Sequence, residues 1–137
     1  MEQFTQWTDQ TIEHWKSKNI KLKAGTTPEK IKDIESVLAF QFPADFTELY
    51  LKVNGFVDGD SDENMFTLWP IERIWEEFHA HGDSDYIAFC DYLINSHTIG
   101  YDKSDGLIYK DYHMIEPIAN NFQEFILLLN GNDDRLY

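Results

Sequence analysis

The stretch FPADFTELYLKVNGF, Phe42 to Phe56, is fenced by stereochemistry at both ends. Pro43 has no backbone N–H, and the first turn of a helix does not need one. Gly55 can take the left-handed conformation that ends a helix, and Asn54 tolerates a place beside it. Between them Phe46, Leu49, Tyr50 and Val53 fall at offsets of three, four and seven, which is one apolar helix face. The pattern predicts a short core helix opened by Pro43 and closed by Asn54-Gly55.

The chain has 137 residues, which suits one domain over residues 1–137, and 42% of them are hydrophobic, enough for a self-sufficient core. A single cysteine, Cys90, excludes an internal disulfide and fits a reducing cytosol. The opening MEQFTQWTDQ lacks the basic and apolar regions of a signal peptide, and no run approaches the length of a membrane span. These features predict a cytoplasmic protein. Charge narrows the partners. The net charge is −14, and it is all carried by residues 41–137, where 19 acids face five bases. Such a field repels nucleic acid and anionic membranes and attracts a basic partner. It also opposes self-association, which predicts a monomer.

Local signals order the elements. A helix is expected over residues 4–17, with Phe4, Trp7 or Thr8, Thr11, Ile12 and Trp15 inward. Thr27-Pro28-Glu29 starts a second helix, with Ile31, Ile34, Val37 and Leu38 on its buried side. The Pro43 helix follows, then a polar loop, VDGDSDEN. MFTLW reads as a strand, and Pro70 opens a further helix with Ile71, Ile74, Trp75 and Phe78 on one face. YIAFCDYL is a strand whose alternation puts Ile87, Phe89 and Asp91 on one face. Ser96 to Tyr101 and LIYKDY flank the hairpin signal Asp105-Gly106, and HMIEPI, residues 113–118, reads as one more short strand. Asn120 or Asn121 caps a last helix that Gly131 ends. The predicted class is α+β: N-terminal helices, a central, mostly antiparallel sheet of about four to six strands with one inserted helix, and a closing helix.

In this order the signals resemble the SUKH superfamily. The resemblance rests on Glu35, then Phe40-Gln41-Phe42-Pro43-Ala44-Asp45-Phe46, Leu49-Tyr50 and Asn54-Gly55, on a strand ending in Trp69-Pro70, and on the closing IANNFQEFI. It covers about residues 26–130. The chain departs from the family pattern at Phe56 and at Ala39-Phe40, in loops. The resemblance implies a non-enzymatic binding protein without a cofactor. Bacterial members look like immunity proteins that neutralise toxin domains, often nucleases, of contact-dependent or polymorphic toxin systems. Other members are regulatory scaffolds with endogenous partners, as in cell-wall control. The acidity favours the first role independently, since a nuclease needs a basic groove that clustered carboxylates can occupy. The partner expected is therefore a basic toxin domain. The carboxylates expected to meet it are Asp58, Asp60, Asp62 and Glu63 of the acidic loop, Glu72 and Glu76 of the inserted helix, and Asp83 and Asp85 of the next loop.

Chemistry-bearing alternatives fail on spacing. A calcium loop starting at Asp58 would need glycine where Glu63 stands and glutamate where Trp69 stands. His79 and His81, with Asp83 and Asp85, lie in a polar loop around Gly82 that does not bring ligands to one side. Cys90 sits mid-strand between aromatic residues, where a free thiol is packing rather than a nucleophile for His97. No glycine-rich phosphate loop, basic aromatic patch or distinctive carboxylate pair is present.

Overall fold

The computed structural model of the chain describes residues 6–80 and 84–137. Helix α1 (Gln6–Ser17) leads through strand β1 (Leu22–Ala24) to α2 (Pro28–Leu38) and α3 (Ala44–Tyr50). Strands β2 (Val53–Phe56) and β3 (Phe66–Leu68) precede α4 (Ile71–Ala80). The meander β4 (Tyr86–Tyr92), β5 (His97–Asp102) and β6 (Ile108–Lys110) follows, and α5 (Phe122–Gly131) closes the fold before a 3-10 turn over Asp134–Leu136. The α+β class is as expected. The strands, however, form two antiparallel sheets: a ribbon β1-β2 and a four-stranded sheet in the order β3-β4-β5-β6.

Capping chemistry sets the helices where the sequence places them. Thr27 Oγ1 accepts the Lys30 N–H at 3.2 Å, with Pro28 next in line. Asn121, not Asn120, caps α5 by accepting the Glu124 N–H at 2.8 Å. The other end of α5 differs from expectation: Gly131 is still helical, and Asn132 takes the left-handed cap with φ 53°. Helix α2 ends on Ala39, also left-handed at φ 55°. Val37 turns outward at 54% exposure, because Ile31, Ile34 and Leu38 already fill the buried stripe.

The fenced helix is shorter than predicted. Pro43 stands just before α3 as its cap, and the helix stops at Tyr50. Val53, Asn54 and Gly55 belong to β2, where all four residues are buried. Pairing with β1, Phe56 to Leu22 and Val53 to Ala24, outweighs one more helical turn. The aromatic side of α3 remains central. Phe42, Phe46 and Tyr50 stack with ring centroids 4.1 Å apart at each step. Phe46 then meets Phe89 of β4 and Phe122 of α5 edge-on. All five rings are essentially inaccessible, and each such burial is worth about 1.5–3 kcal/mol.

A bulge in β4 overturns a second expectation. Register shifts between Ala88 and Cys90, so that Ile87 pairs with Tyr101 while Asp91 pairs with Thr98. Tyr101 and Thr98 are three residues apart on β5 and face opposite sides. Asp91 therefore leaves the face of Ile87 and Phe89 and joins the side of the sheet away from α3. Residues 113–118 do not form a strand. His113 N–H turns back onto Lys110 O at 3.0 Å, Ile115 is 82% exposed, and the other backbone bonds to β6 come from Ile118 and Ala119, at Ile108. Pro117 has no N–H to give a ladder there.

Candidate partner-binding site

The residues that carry the resemblance converge on one joint, the peptide between Trp69 and Pro70. Buried Asn54 reaches from β2 to α4: its Oδ1 accepts the Ile71 N–H at 2.8 Å, and its Nδ2 donates to Glu72 Oε1 at 2.9 Å. A side chain from another element thus caps α4. The Tyr50 hydroxyl donates to Trp69 O at 2.6 Å. Burial holds that phenol well above its ordinary pKa, so it stays a donor. Gly55, at φ +71°, lies flat against the joint, where a Cβ would stand 2.6 Å from Trp69 O. The Trp69 indole donates to Asp91 Oδ1 at 2.6 Å on the far side of the sheet. Arg73 covers the Trp69 ring at 4.3 Å and lies 3.7 Å from Asp91. Upstream, Glu35 Oε2 accepts the Phe42 N–H at 2.8 Å and fastens the turn that leads into Pro43. The joint residues aim α4, and Glu35 sets the entry to α3.

Around this joint the acidic residues separate into two groups. Asp60 and Asp62 are bound internally. Asp60 Oδ2 accepts the Lys21 N–H at 2.5 Å, which ties the loop to β1. Asp62 Oδ1 accepts the N–H groups of Asn64 and Phe66, each at 2.9 Å. Glu63 pairs with Lys18 at 3.3 Å in solvent, a contact worth little. Asp58, Glu72, Glu76 and Glu77 instead line one groove of about 340 Å³ along α4, with Lys23 and Arg73. The structure therefore brings together three of the expected carboxylates and adds Glu77. Asp85 is exposed at the start of β4, its carbonyl accepting the Lys103 N–H at 2.7 Å. Asp83 lies outside the described residues, as does His81.

Burial and hydrogen bonding push two of these acids in opposite directions. Desolvation raises the Asp62 carboxyl, only partly offset by the Phe66 and Asn64 N–H groups. Burial would raise Glu72 too, but its own backbone N–H, the Asn54 amide and the Lys30 ammonium together hold it below the usual range. The folded state thus binds a proton at Asp62 more readily than the unfolded chain does. Asp62 costs stability as pH rises from the ordinary carboxylate pKa through its raised value. Asp62→Asn keeps the Oδ1 acceptor and removes the charge. Its urea midpoint should exceed that of the wild type at neutral pH and converge with it in acid. A lower midpoint at neutral pH would contradict this reading.

The thiol of Cys90 is wholly buried, and burial first, then the nearby Asp91 and Asp62 charges, push its pKa well up. A thiolate is disfavoured there. The His97 ring engages Leu136 O at 2.9 Å. Among the described residues no group of three or more His, Cys, Asp or Glu could hold a metal ion, and no helix is long and apolar enough to cross a membrane.

The family model of the SMI1/KNR4 family (SUKH-1) matches residues 25–128, from the end of β1 into α5. The chain belongs to this family. SUKH proteins include toxin immunity proteins and cell-wall regulators, and they bind protein partners. No curated protein matches the chain. The SUKH-1 match contains the Trp69-Pro70 joint, the acidic loop and all of α4. Helix α1 lies before it and is tied on by Trp15 Nε1 donating to Asn130 Oδ1 at 2.8 Å and by Lys52 Nζ donating to Thr8 Oγ1 at 2.7 Å.

Sequence reasoning set Glu77 on the polar face of the inserted helix without placing it among the acids expected to meet a partner, and gave Asp91 and Arg73 no part at the joint. Asp91 had a legible signal, a carboxylate inside the apolar run YIAFCDYL. Glu77 had none, since it differs from Glu76 only in the groove and contacts that α4 gives it.

Proposed function

We propose that this SUKH-1 protein is an immunity protein that binds a basic toxin domain, a nuclease, one-to-one and without chemistry, as a monomer in the cytoplasm. The observation that carries the reading is the groove where Asp58, Glu72, Glu76 and Glu77 meet. Carboxylates on a fixed helix, in a chain of net charge −14, offer a complement to the phosphate-binding cleft of a nuclease. Opposite charge raises the association rate, and occupation of the cleft excludes nucleic acid. Glu63, Asp85 and Asp83 would extend the attractive field. Asp60 and Asp62 would contribute charge while holding their loop.

The test uses exposed acids that do not brace the fold. Asp58→Lys with Glu76→Lys should slow association with the co-encoded toxin domain by about tenfold or more at low ionic strength, and the difference should shrink as salt screens it. The thermal midpoint should stay near that of the wild type. Calorimetry should give one toxin domain per chain. An unchanged association rate in the double variant would remove this face from the account.

A further inference from the structure

Beside the acidic groove, a second cavity of about 370 Å³ opens on the face of the four-stranded sheet away from the α3 core. Its floor is Ala88 and Thr98, and its walls are the aromatic side chains of Trp69, Phe78 and Tyr86. Two carboxylates, Glu77 of α4 and Asp111 just after β6, also line it. Glu77 also lines the acidic groove, so the two are neighbours. The far wall is fastened by hydrogen bonds: the Tyr86 and Thr98 hydroxyls lie 2.9 Å apart, Thr98 Oγ1 donates to Asp111 Oδ2 at 3.0 Å, and the Asp111 N–H donates to Thr98 O at 3.0 Å.

The volume is at the small end of ligand pockets, about 300–1,000 Å³. That suits a side chain rather than a cofactor. Two carboxylates over apolar, aromatic walls select a cation with a flat, weakly hydrated head. The protein already seats one guanidinium in this neighbourhood, Arg73 over the Trp69 ring, with its Nε 3.9 Å from Glu77. We infer that the cavity lined by Glu77 and Asp111 is an anchor pocket for an arginine side chain of the basic partner. The inference rests on the acidic-face reading above and names what that partner must present: an arginine projecting beside its basic cleft. Buried arginines are frequent anchors of tight interfaces, and the pocket would hold one out of water next to steering charges.

The pocket can be probed without the toxin. N-acetyl-arginine amide, titrated into the full chain, should give saturable shifts at the Trp69 indole and the Ala88 and Thr98 amides. The lysine analogue should bind more weakly, and the uncharged citrulline analogue should give none. Glu77→Gln or Asp111→Asn should weaken arginine binding by about tenfold. Ala88→Met, which fills the floor and keeps both charges, should abolish it in a chain whose spectrum is otherwise folded. No saturable shift in the wild type, equal binding of citrulline, or full binding in Ala88→Met would each overturn the inference. Toxin neutralisation that persists without arginine binding would leave the immunity reading intact and remove only the pocket. Arginine binding in a chain that fails to bind the toxin would do the reverse.

Discussion

Gly55→Ala is expected to destabilise the protein by about 3–5 kcal/mol, from left-handed strain plus an unavoidable steric clash. Both causes are local. At φ +71° any Cβ is strained, and this one would lie 2.6 Å from the carbonyl carbon and oxygen of Trp69 and 2.7 Å from Pro70 N. None of these is a flexible side chain that could move aside. Relief would require β2 to withdraw from the joint, carrying Asn54 away from the N-terminus of α4 and Phe56 out of the core. The loss is a large share of the about 5–15 kcal/mol that holds a domain of this kind together. Urea unfolding followed by tryptophan fluorescence would measure it. A loss below about 1 kcal/mol would show that the joint is looser than described.

Asp91→Ala should be comparably severe, at about 3–5 kcal/mol, because it removes one partner of a buried charged network. Asp91 is only 3% exposed. Its Oδ1 takes the Trp69 indole N–H at 2.6 Å, its Oδ2 takes the Asn95 N–H at 2.7 Å, and Arg73 lies 3.7 Å away. Truncation leaves the buried Trp69 indole N–H without its acceptor and takes one of its two carboxylate partners, Glu77 being the other, from Arg73. The Asn95 bond also braces the β4–β5 turn, where Leu93, Ile94 and Asn95 all have positive φ, a costly conformation for a β-branched residue. Asp91→Asn, which retains an acceptor, should recover part of the loss. Equal stabilities for Asp91→Ala and the wild type would mean that the network contributes nothing.

How far the sequence could be read depends on the range of the interactions. Signals that act within one turn were legible: the Thr27 cap with Pro28, the apolar stripe of α4, the hairpin at Asp105-Gly106 where Gly106 takes φ +73°. Signals that act between elements were not. Asn54-Gly55 carries the local chemistry of a helix end, but its job is to cap α4 and to lie under Trp69-Pro70. Only the folded arrangement supplies those partners. The β4 bulge is invisible to alternation, because one extra residue reverses every side chain beyond it. The acidic site followed the same division. Charge density marked the stretch from which Asp58, Glu72 and Glu76 reach the groove, yet it could not separate Asp60 and Asp62, whose carboxylates accept backbone N–H groups, from Asp58 and Glu76. Glu77 and Asp111 line one cavity from a helix and from the end of a strand, so no spacing along the chain announces them.

The central claim is protection by stoichiometric binding, and the most direct measurement is growth. A toxin domain encoded beside this protein's gene would be expressed in a susceptible host with and without the chain, and the survivors' complexes purified. The account predicts restored growth and a complex with one copy of each protein that loosens as salt rises. Toxicity undiminished by the folded chain, with no complex recovered at low salt, would contradict it.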